Sequence, residues 1–566
     1  MASIESFEEE SNPVYDADYD PRSGFCRRSS IYRSLHRLGP RHRIPADLAL
    51  DAATFVLSLF PSPGIADDKP AFIDSVTGRC LTFSHVRCSA LSLAAALHHG
   101  LGLRRGDVVL VLSPNSVLYP AIILGVLAAG AVITTANPLN TAAEVARQAR
   151  DSGAVFAIVA PEEAHKAAAA DIPILLTTRS PDSDGPLSAE ELMEDGDPMA
   201  APHPETAQSD VAAVLYSSGT TGPSKGVVLT HGNLIAITAM VRWVAEASVP
   251  ARDSVDVYLG FVPMSHIYGL AFFALGLPAA GATTVVMPRF ELGAAMAAVA
   301  AHGVTNIPAV PPVVSAIARY SGSGSGYDMS GLRRVGTGAA ALGAAAGREF
   351  RRKFPWVELR EGYGLTESGG AATFAVAAKA GAVGRLLPGM EAKVVGPAAE
   401  ELGPGMRGEL WLRGPTVMKG YLGNEEATAE ALVGDGWLRT GDLVYVDQDG
   451  YLYVVDRLKE LIKHNGYQVA PAELEALLLT HTHIVDAAVV PLEDEETGQV
   501  PMAYVVKSPQ SGLTTDGVIQ FIASQVAPYK KIRKVAFIES IPRSAAGKIL
   551  RKQLVAQNQQ AITSKL

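Results

Sequence analysis

The sequence predicts an α/β chain. It has a large N-terminal body of layered, largely parallel sheets with an added β subdomain, then a small α+β module. Three observations predict this. Short apolar runs alternate with helical stretches through the first two-thirds of the chain, as in βαβ units. From Gly384 to Leu443 the texture shifts to short strand-like runs and Gly/Pro turns such as Gly403-Pro404-Gly405. At Asp456-Arg457-Leu458-Lys459 it shifts again, to a charged run, a Gly turn and a helix near Pro471-Ala472-Glu473. At 566 residues the chain exceeds what one core holds, so at least two domains are expected.

Residues 1–50 are polar, Arg-rich and irregular, and are expected to wrap the surface. Asp107 to Leu112 reads as a buried strand, Val117 to Ala129 as a helix and Ala131 to Thr135 as a second strand. Similar units recur at Val155 to Val159, at Val211 to Leu215 with a helix from Asn233, and at Val257 to Phe261. Thr283 to Met287 and Arg333 to Thr337 continue the series. In the last module Val485 to Val490 and Ala503 to Lys507 read as strands and Asp516 to Val526 as a helix. The expected division is therefore residues 51–456 and 457–566, jointed at Arg457 to Lys459.

Hydrophobic content is 48% and charged content 19%, a globular balance. Acidic residues outnumber basic ones, 58 against 48, for a net charge of −10, which argues against nucleic acid as the main partner. Cys26, Cys80 and Cys88 have no metal spacing and fit a reducing compartment. The acidic start is no secretory signal. Val117 to Ala143 and Val257 to Pro288 lack charge, but Gly and Pro interrupt them, and buried α/β core is expected rather than a membrane span. Ser564-Lys565-Leu566 is a peroxisomal address read by an import receptor.

Residues 216–226, Tyr-Ser-Ser-Gly-Thr-Thr-Gly-Pro-Ser-Lys-Gly, carry the strongest chemistry. Hydroxyls, curling glycines and Lys225 between two strand-like runs point to a polyphosphate. The spacing is not that of a Walker A loop, and a flexible linker rarely sits between two strands. Glu361-Gly362-Tyr363-Gly364-Leu365-Thr366-Glu367 joins two glycines to an aromatic, a hydroxyl and a carboxylate. Tyr363 could stack on a flat ring, Thr366 bond a phosphate and Glu367 hold Mg²⁺; the plain alternative is a tight strand-to-helix turn capped by Thr366. Thr440-Gly441-Asp442 offers a carboxylate for ribose hydroxyls, or is an ordinary turn. Asp456 to Gln468 is dense in charge, and a solvated strand and turn competes as its reading. Pro542-Arg543-Ser544-Ala545-Ala546-Gly547-Lys548 sets one Lys after a Gly turn, where it could neutralise charge developing on an oxygen, or be a surface Lys.

Together and in this order, the five clusters resemble the acyl-adenylate-forming superfamily, from about residue 50 to the end. Within it the chain is similar to the plant 4-coumarate:CoA ligase-like branch. Val262-Pro263-Met264-Ser265-His266-Ile267-Tyr268 and Gln468-Val469-Ala470-Pro471-Ala472-Glu473-Leu474-Glu475 add to the likeness, and the Ser-Lys-Leu ending fits the peroxisomal members.

The resemblance implies a two-step ligase. A carboxylate attacks the α-phosphorus of Mg·ATP, and CoA then displaces AMP from the acyl-adenylate. It implies that Ser217, Ser218, Gly219, Thr220, Thr221, Gly222 and Lys225 hold phosphates. Ala339, Glu361, Gly362, Tyr363 and Thr366 would border AMP, with Gln468 on the nucleotide side, and Glu367 would bind Mg²⁺. Asp442 and Arg457 would hold the ribose, and Lys548 would promote adenylation. Lys459 would be the hinge of a mobile small domain, whose rotation brings Lys463 in for the thioester step. His266 would orient the acid; Tyr268, Phe272, Gly338, Gly364, Gly370 and Ala371 would form the acyl pocket; Arg289, Asn465 and Gly466 would face CoA.

The chain departs from the branch at several places. Glu361 stands where Gln is common, Asn465 where Lys is usual, and Ser368-Gly369-Gly370-Ala371 where the coumarate enzymes carry Gly-Pro-Val. With Phe272 in place of a Ser, this implies a reshaped pocket and a fatty or oxylipin-precursor acid over 4-coumarate. Alternative expectations are a luciferase-like oxygenase acting on the acyl-adenylate, or a non-catalytic acyl or nucleotide binder; intact Lys548, Glu367 and Asp442 speak against the latter.

Overall fold

The computed structural model describes residues 18–45, 49–180, 185–217, 224–247, 256–320, 327–464, 467–494, 497–509, 511–544 and 547–563, with side chains up to residue 557. Among these residues the strands form four sheets. The first is seven-stranded and centres on Val108–Leu112, flanked in parallel by Val132–Ala136 and Ala154–Val159. These are the apolar runs read from the sequence, buried by helices such as Tyr119–Ala128, every residue of which is buried. No helix among the described residues is long and apolar enough to cross a membrane.

The second sheet has nine strands. Its centre, Thr283–Val286, Val257–Gly260, Asn306–Ala309, Arg334–Thr337 and Glu358–Leu365, is parallel throughout. Helix His231–Glu246 is begun by a reciprocal cap between Thr230 and Asn233. It packs against a helix that starts at Ile267 and widens to a π-helical stretch over Leu270–Gly276. The two approach so closely that a Cβ on Gly276 would stand 2.3 Å from Val241. Open parallel sheets place ligands at the carboxyl ends of their strands, and the residues from Thr337 to Ala339 and Gly362 to Thr366 lie there.

The Glu361–Glu367 cluster is not a loop entering a helix. Strand Glu358–Leu365 turns at Thr366 to Gly369 and returns as Gly370–Phe374, antiparallel to it. Ser368 braces the turn: its hydroxyl accepts from the Leu365 N–H at 2.9 Å and donates to the Gly370 carbonyl at 2.7 Å. Gly364 is required, because a Cβ there would lie 1.8 Å from the Gly370 carbonyl oxygen.

The third sheet is the antiparallel β subdomain, built on Glu391–Val395, Gly408–Arg413, Trp437–Val446 and Leu452–Arg457. It corrects one expectation. The N-terminal segment does not merely wrap the surface, since Phe25–Cys26 and Ile31–Arg33 form a hairpin whose Tyr32 pairs with Ala392. Tyr32 is buried against Phe25, ring centroids 4.7 Å apart. Strands of two and three residues are too short to show a period of two.

The last sheet has five strands around Ile484–Asp494 and Gly498–Lys507. It is buried on both faces. Ala487 and Val489 join one apolar cluster beneath helices Pro471–Leu478 and Thr515–Ala523. Ala488 and Val490 join another with Leu554 of the final helix. That alternation is the period-two pattern of a strand.

Candidate active site

A cavity of about 80 Å³ lies where the small module meets the carboxyl ends of the second sheet. One end is polar and includes His266, Tyr363, Thr366 and Lys548; the other is apolar, with Met240, Val241, Ala271 and Phe272 among its walls. Residues of the Val262–Tyr268 run, residues of the Glu361–Glu367 cluster and Lys548 therefore converge on one cleft.

Asp442 anchors the polar end. It lies on strand Trp437–Val446 and is 2% exposed. The Tyr363 hydroxyl donates to its Oδ2 at 2.5 Å, and Arg457 Nε stands 2.8 Å from its Oδ1. Strand register fixes the second contact, since Asp442 pairs directly with Arg457. Burial raises the carboxyl's pKa, while Arg457, Tyr363 and Lys548 oppose the rise. Tyr363, expected to stack on a ring, thus also ties its strand to the Asp442 carboxylate.

Lys548 reaches the cavity from a tight turn. The Ser544 N–H donates to the Lys548 carbonyl at 2.8 Å, and the Lys548 N–H donates to Ser544 Oγ at 3.2 Å. Gly547 supplies the left-handed φ of +77° that closes the turn. Arg543 braces it, donating to the Gly547 carbonyl at 3.0 Å and pairing with Asp486 at 2.8 Å. Burial and the Arg457 guanidinium lower the Lys548 pKa; Asp442 and Glu367 act against that.

His266 follows strand Val257–Gly260 and caps the next helix. Its Nδ1 accepts the Tyr268 N–H at 3.2 Å, so the ring proton belongs on Nε2. Burial first, and Lys548 second, push its pKa down to about 4. The ring is neutral at physiological pH and acts as a donor.

Glu367 and Lys225 are linked by Tyr421, which the sequence reading missed. Tyr421 donates its hydroxyl to Glu367 Oε1 at 3.0 Å, and Lys225 Nζ lies 4.8 Å from the centroid of its ring. Strand Gly420–Tyr421 pairs with Val227 and Val228, on the strand that begins at Lys225. Lys225 in turn pairs with Ser217, the last residue of strand Val211–Ser217. Ser218, Gly219, Thr220, Thr221 and Gly222 lie outside the described residues, as do Asn465, Gly466 and the tripeptide Ser564, Lys565 and Leu566. No cluster of three metal-ligating side chains exists among the described residues. A single carboxylate suits Mg²⁺, which takes its other ligands from substrate phosphates and water, and Glu367 Oε2 has no hydrogen-bond partner among the described residues.

Gly338 and Ala339 follow strand Arg334–Thr337 and line the cavity with Gly362, Gly364, Gly370 and Ala371. Ala339 has φ +67°, an uncommon conformation for a residue with a side chain and one that clusters at functional sites. Tyr268 and Phe272 stand at the apolar end. Several expected residues lie elsewhere. Lys463 and Gln468 face each other across the hairpin Ile462–His464 and Tyr467–Val469, on its exposed side. Lys459 is exposed in the turn after Arg457, and Arg289 is exposed beyond strand Thr283–Val286.

Glu361 lies beside the cavity on strand Glu358–Leu365, paired with Thr337. Burial raises its pKa from 4.5 to about 7, against the pull of Arg351. The folded chain therefore binds this proton more tightly than the unfolded one, and stability falls as pH rises from about 4.5 to about 7. Glu361→Gln removes the burdened charge. The variant is expected to be more stable than the parent at pH 8, by less than about 3 kcal/mol and so with a higher melting temperature, and to match it near pH 4.5. Equal melting temperatures at pH 8 contradict the assignment.

Comparison with known proteins agrees with this geometry. Residues 65–422 match the model of the AMP-binding enzyme family, and residues 473–548 match that of the AMP-binding enzyme C-terminal domain. The peroxisomal OPC-8:0-CoA ligase 1 of Arabidopsis thaliana is 46% identical over 551 residues, 95% of this chain and 98% of the relative. The probable CoA ligase CCL5 of Humulus lupulus is 45% identical over 550 residues, 95% and 97% respectively. The o-succinylbenzoate coenzyme A synthetase MenE of Bacillus subtilis, solved with ATP and a magnesium ion, superposes with a TM-score of 0.74 at 26% identity, covering 88% of this chain and 98% of its own. With a cleft formed by matching residues of both its parts, the chain belongs to the AMP-binding enzyme family.

Proposed function

We propose that this chain is an AMP-forming carboxylate:CoA ligase with a carboxylic acid, Mg·ATP and CoA as substrates. The observation that carries the reading is Lys548. It follows Gly547 and lines the same cavity as His266, Tyr363 and Thr366. The CoA ligase relatives support the same reaction class.

In the first half-reaction a carboxylate oxygen of the acid attacks the α-phosphorus. The Pα–O bond toward the β-phosphate breaks and pyrophosphate leaves. Little covalent help is needed, so positioning and charge neutralisation dominate. The residue roles follow from placement. Asp442, tied to Tyr363 and Arg457, has lone pairs left for ribose hydroxyls. The neutral His266 offers its Nε2–H to the acid, which is already ionised, so the ring orients it without taking a proton. Lys548 meets the charge growing on the phosphoryl oxygens. Ser217, Lys225 and the residues between them in sequence hold the β- and γ-phosphates. Bound Mg²⁺ would be held by Glu367 and neutralise phosphate charge.

In the second half-reaction the CoA thiolate attacks the acyl carbon, and the bond from that carbon to the AMP oxygen breaks. Residues 457–566 act as a mobile domain hinged at Lys459. Rotation exchanges Lys548 for Lys463, bringing the exposed face of the hairpin with Gln468, Asn465 and Gly466 toward the cleft, and Arg289 faces CoA. Lys548→Ala is expected to slow acid-dependent pyrophosphate release by 100-fold or more, in line with the loss of a charge-stabilising donor, and to spare thioester formation from supplied acyl-AMP. Lys463→Ala is expected to do the reverse. Equal loss of both half-reactions in both variants contradicts the two-face cycle.

The peroxisome is the proposed location. The motif Ser564-Lys565-Leu566 and the peroxisomal OPC-8:0-CoA ligase relative support it. A fluorescent protein fused ahead of the chain is expected in peroxisomes, and to spread through the cytosol when these three residues are removed. Peroxisomal fluorescence that survives the removal contradicts the import-receptor reading.

A further inference from the structure

A small cavity of about 10 Å³ lies at the seam between the N-terminal hairpin and the β subdomain. The hairpin contributes Tyr32 and Arg33, strand Arg385–Leu386 contributes both its residues, and Gly450 and Leu452 close another side. The space suits one occupant about the size of a water molecule. Tyr32 is 1% exposed, and its hydroxyl is buried with no hydrogen-bond partner among the described residues. The same holds for Nε of Arg385. Buried polar groups are almost always satisfied, so two such donors on one small cavity point to something that accepts from both.

Charge points the same way. Arg385 is half-buried and makes no ion pair with a carboxylate among the described residues; its guanidinium lies over the Tyr451 ring, 4.5 Å from the centroid. A ring face is a weaker neutraliser than an anion. The carboxylates nearby are already engaged. Glu391 is shared by Arg33 at 3.0 Å and Arg413 at 2.5 Å, and Asp449 by Arg22 at 2.6 Å and Lys379 at 2.9 Å. Lys379 also holds Asp447 at 2.6 Å. The plain alternative is a bridging water. Water brings two protons that need acceptors, whereas a guanidinium has none to give. Ser23, the other hydroxyl on the cavity, already donates to Asp20 at 3.0 Å and accepts the Phe25 N–H at 3.3 Å. An anion needs donors alone and supplies the counter-charge that a partly buried guanidinium requires.

We propose that this cavity binds a small monovalent anion of the chloride type, which accepts from the Tyr32 hydroxyl and from Nε of Arg385. Arg33 stands at its edge; it is exposed, and its flexible stem yields to an ion slightly larger than water. The anion fastens the hairpin to the β subdomain where pairing is short, at Arg33 and Tyr32 against Glu391 and Ala392. The chain then runs on to helix His231–Glu246. His36 packs on Trp243 with ring centroids 4.9 Å apart, the Arg41 carbonyl accepts from Arg242 at 2.7 Å, and His42 stands 3.0 Å from Glu246. The opposite side of that helix presents Ile237, Met240, Val241 and Val244 to the active-site cavity. The anion therefore secures the root of a strap whose far end braces a wall of the active site.

The test compares the full chain with Tyr32→Phe and Arg385→Met, exchanging sodium gluconate for sodium chloride or bromide at fixed ionic strength. The readouts are the melting temperature and anomalous scattering from crystals grown in bromide. The parent's melting temperature is expected to rise saturably with either halide, and bromide to scatter from beside Tyr32 and Arg385. Tyr32→Phe keeps the ring and removes the hydroxyl. It is expected to weaken halide affinity about tenfold or more, the loss of one hydrogen bond to a charge. Arg385→Met is expected to abolish the halide effect; should it fold poorly, Tyr32→Phe carries the comparison alone. A parent melting temperature that halide leaves unmoved overturns the site. So does a rise of equal size and midpoint in parent and Tyr32→Phe, which is general salt stabilisation. A bromide crystal without anomalous signal in the cavity also overturns it and leaves water as the occupant.

Discussion

The buried Asp442 carboxylate is the contact on which the site depends. It is 2% exposed, accepts the Tyr363 hydroxyl at 2.5 Å and pairs with Arg457 at 2.8 Å. Each partner arrives from a different strand: Glu358–Leu365 from the nine-stranded sheet, Leu452–Arg457 from the β subdomain. Removing one partner of a buried pair costs about 3–5 kcal/mol, because the other charge is left uncompensated. The triad therefore fixes the sheet ends, the β subdomain and the joint of the small module relative to one another. Lys548 lies close enough to feel the same carboxylate.

The electrostatics around that anchor suit anionic substrates. Desolvation and the Arg457 guanidinium depress the Lys548 pKa, and Asp442 and Glu367 act against the drop. Arrival of a carboxylate and a polyphosphate supplies more negative charge and favours the protonated amine further. His266 is prevented from becoming a second cation by burial and by Lys548. Lys548 and one neutral donor thus face the cavity, with the Tyr268 N–H fixing the donor's tautomer. The apolar end begins immediately beyond His266, so one cavity offers charge to one end of a substrate and hydrocarbon contact to the other.

Much of the fold was legible because burial leaves a mark on sequence. Val108–Leu112 is a parallel strand covered on both faces, and it reads as an unbroken apolar run. The hairpin of Phe25–Cys26 and Ile31–Arg33 left no such mark, being too short for a period and stabilised by a distant strand at Ala392. Site residues were legible where a cluster is local, as in Glu361 to Glu367. Tyr421 was not, because its tie to Glu367 and Lys225 spans 54 positions in one direction and depends on strand pairing. The signal available was an aromatic in Met418-Lys419-Gly420-Tyr421 next to a short strand.

The central claim is that this cleft makes an acyl-adenylate, and acid-dependent exchange of labelled pyrophosphate into ATP tests it most directly. The exchange reports reversal of the first half-reaction alone and needs no CoA. The account predicts label in ATP only when enzyme, Mg²⁺ and a carboxylic acid are all present, rising with acid concentration. Exchange that is independent of acid, or none with any acid that calorimetry shows to bind, would contradict it.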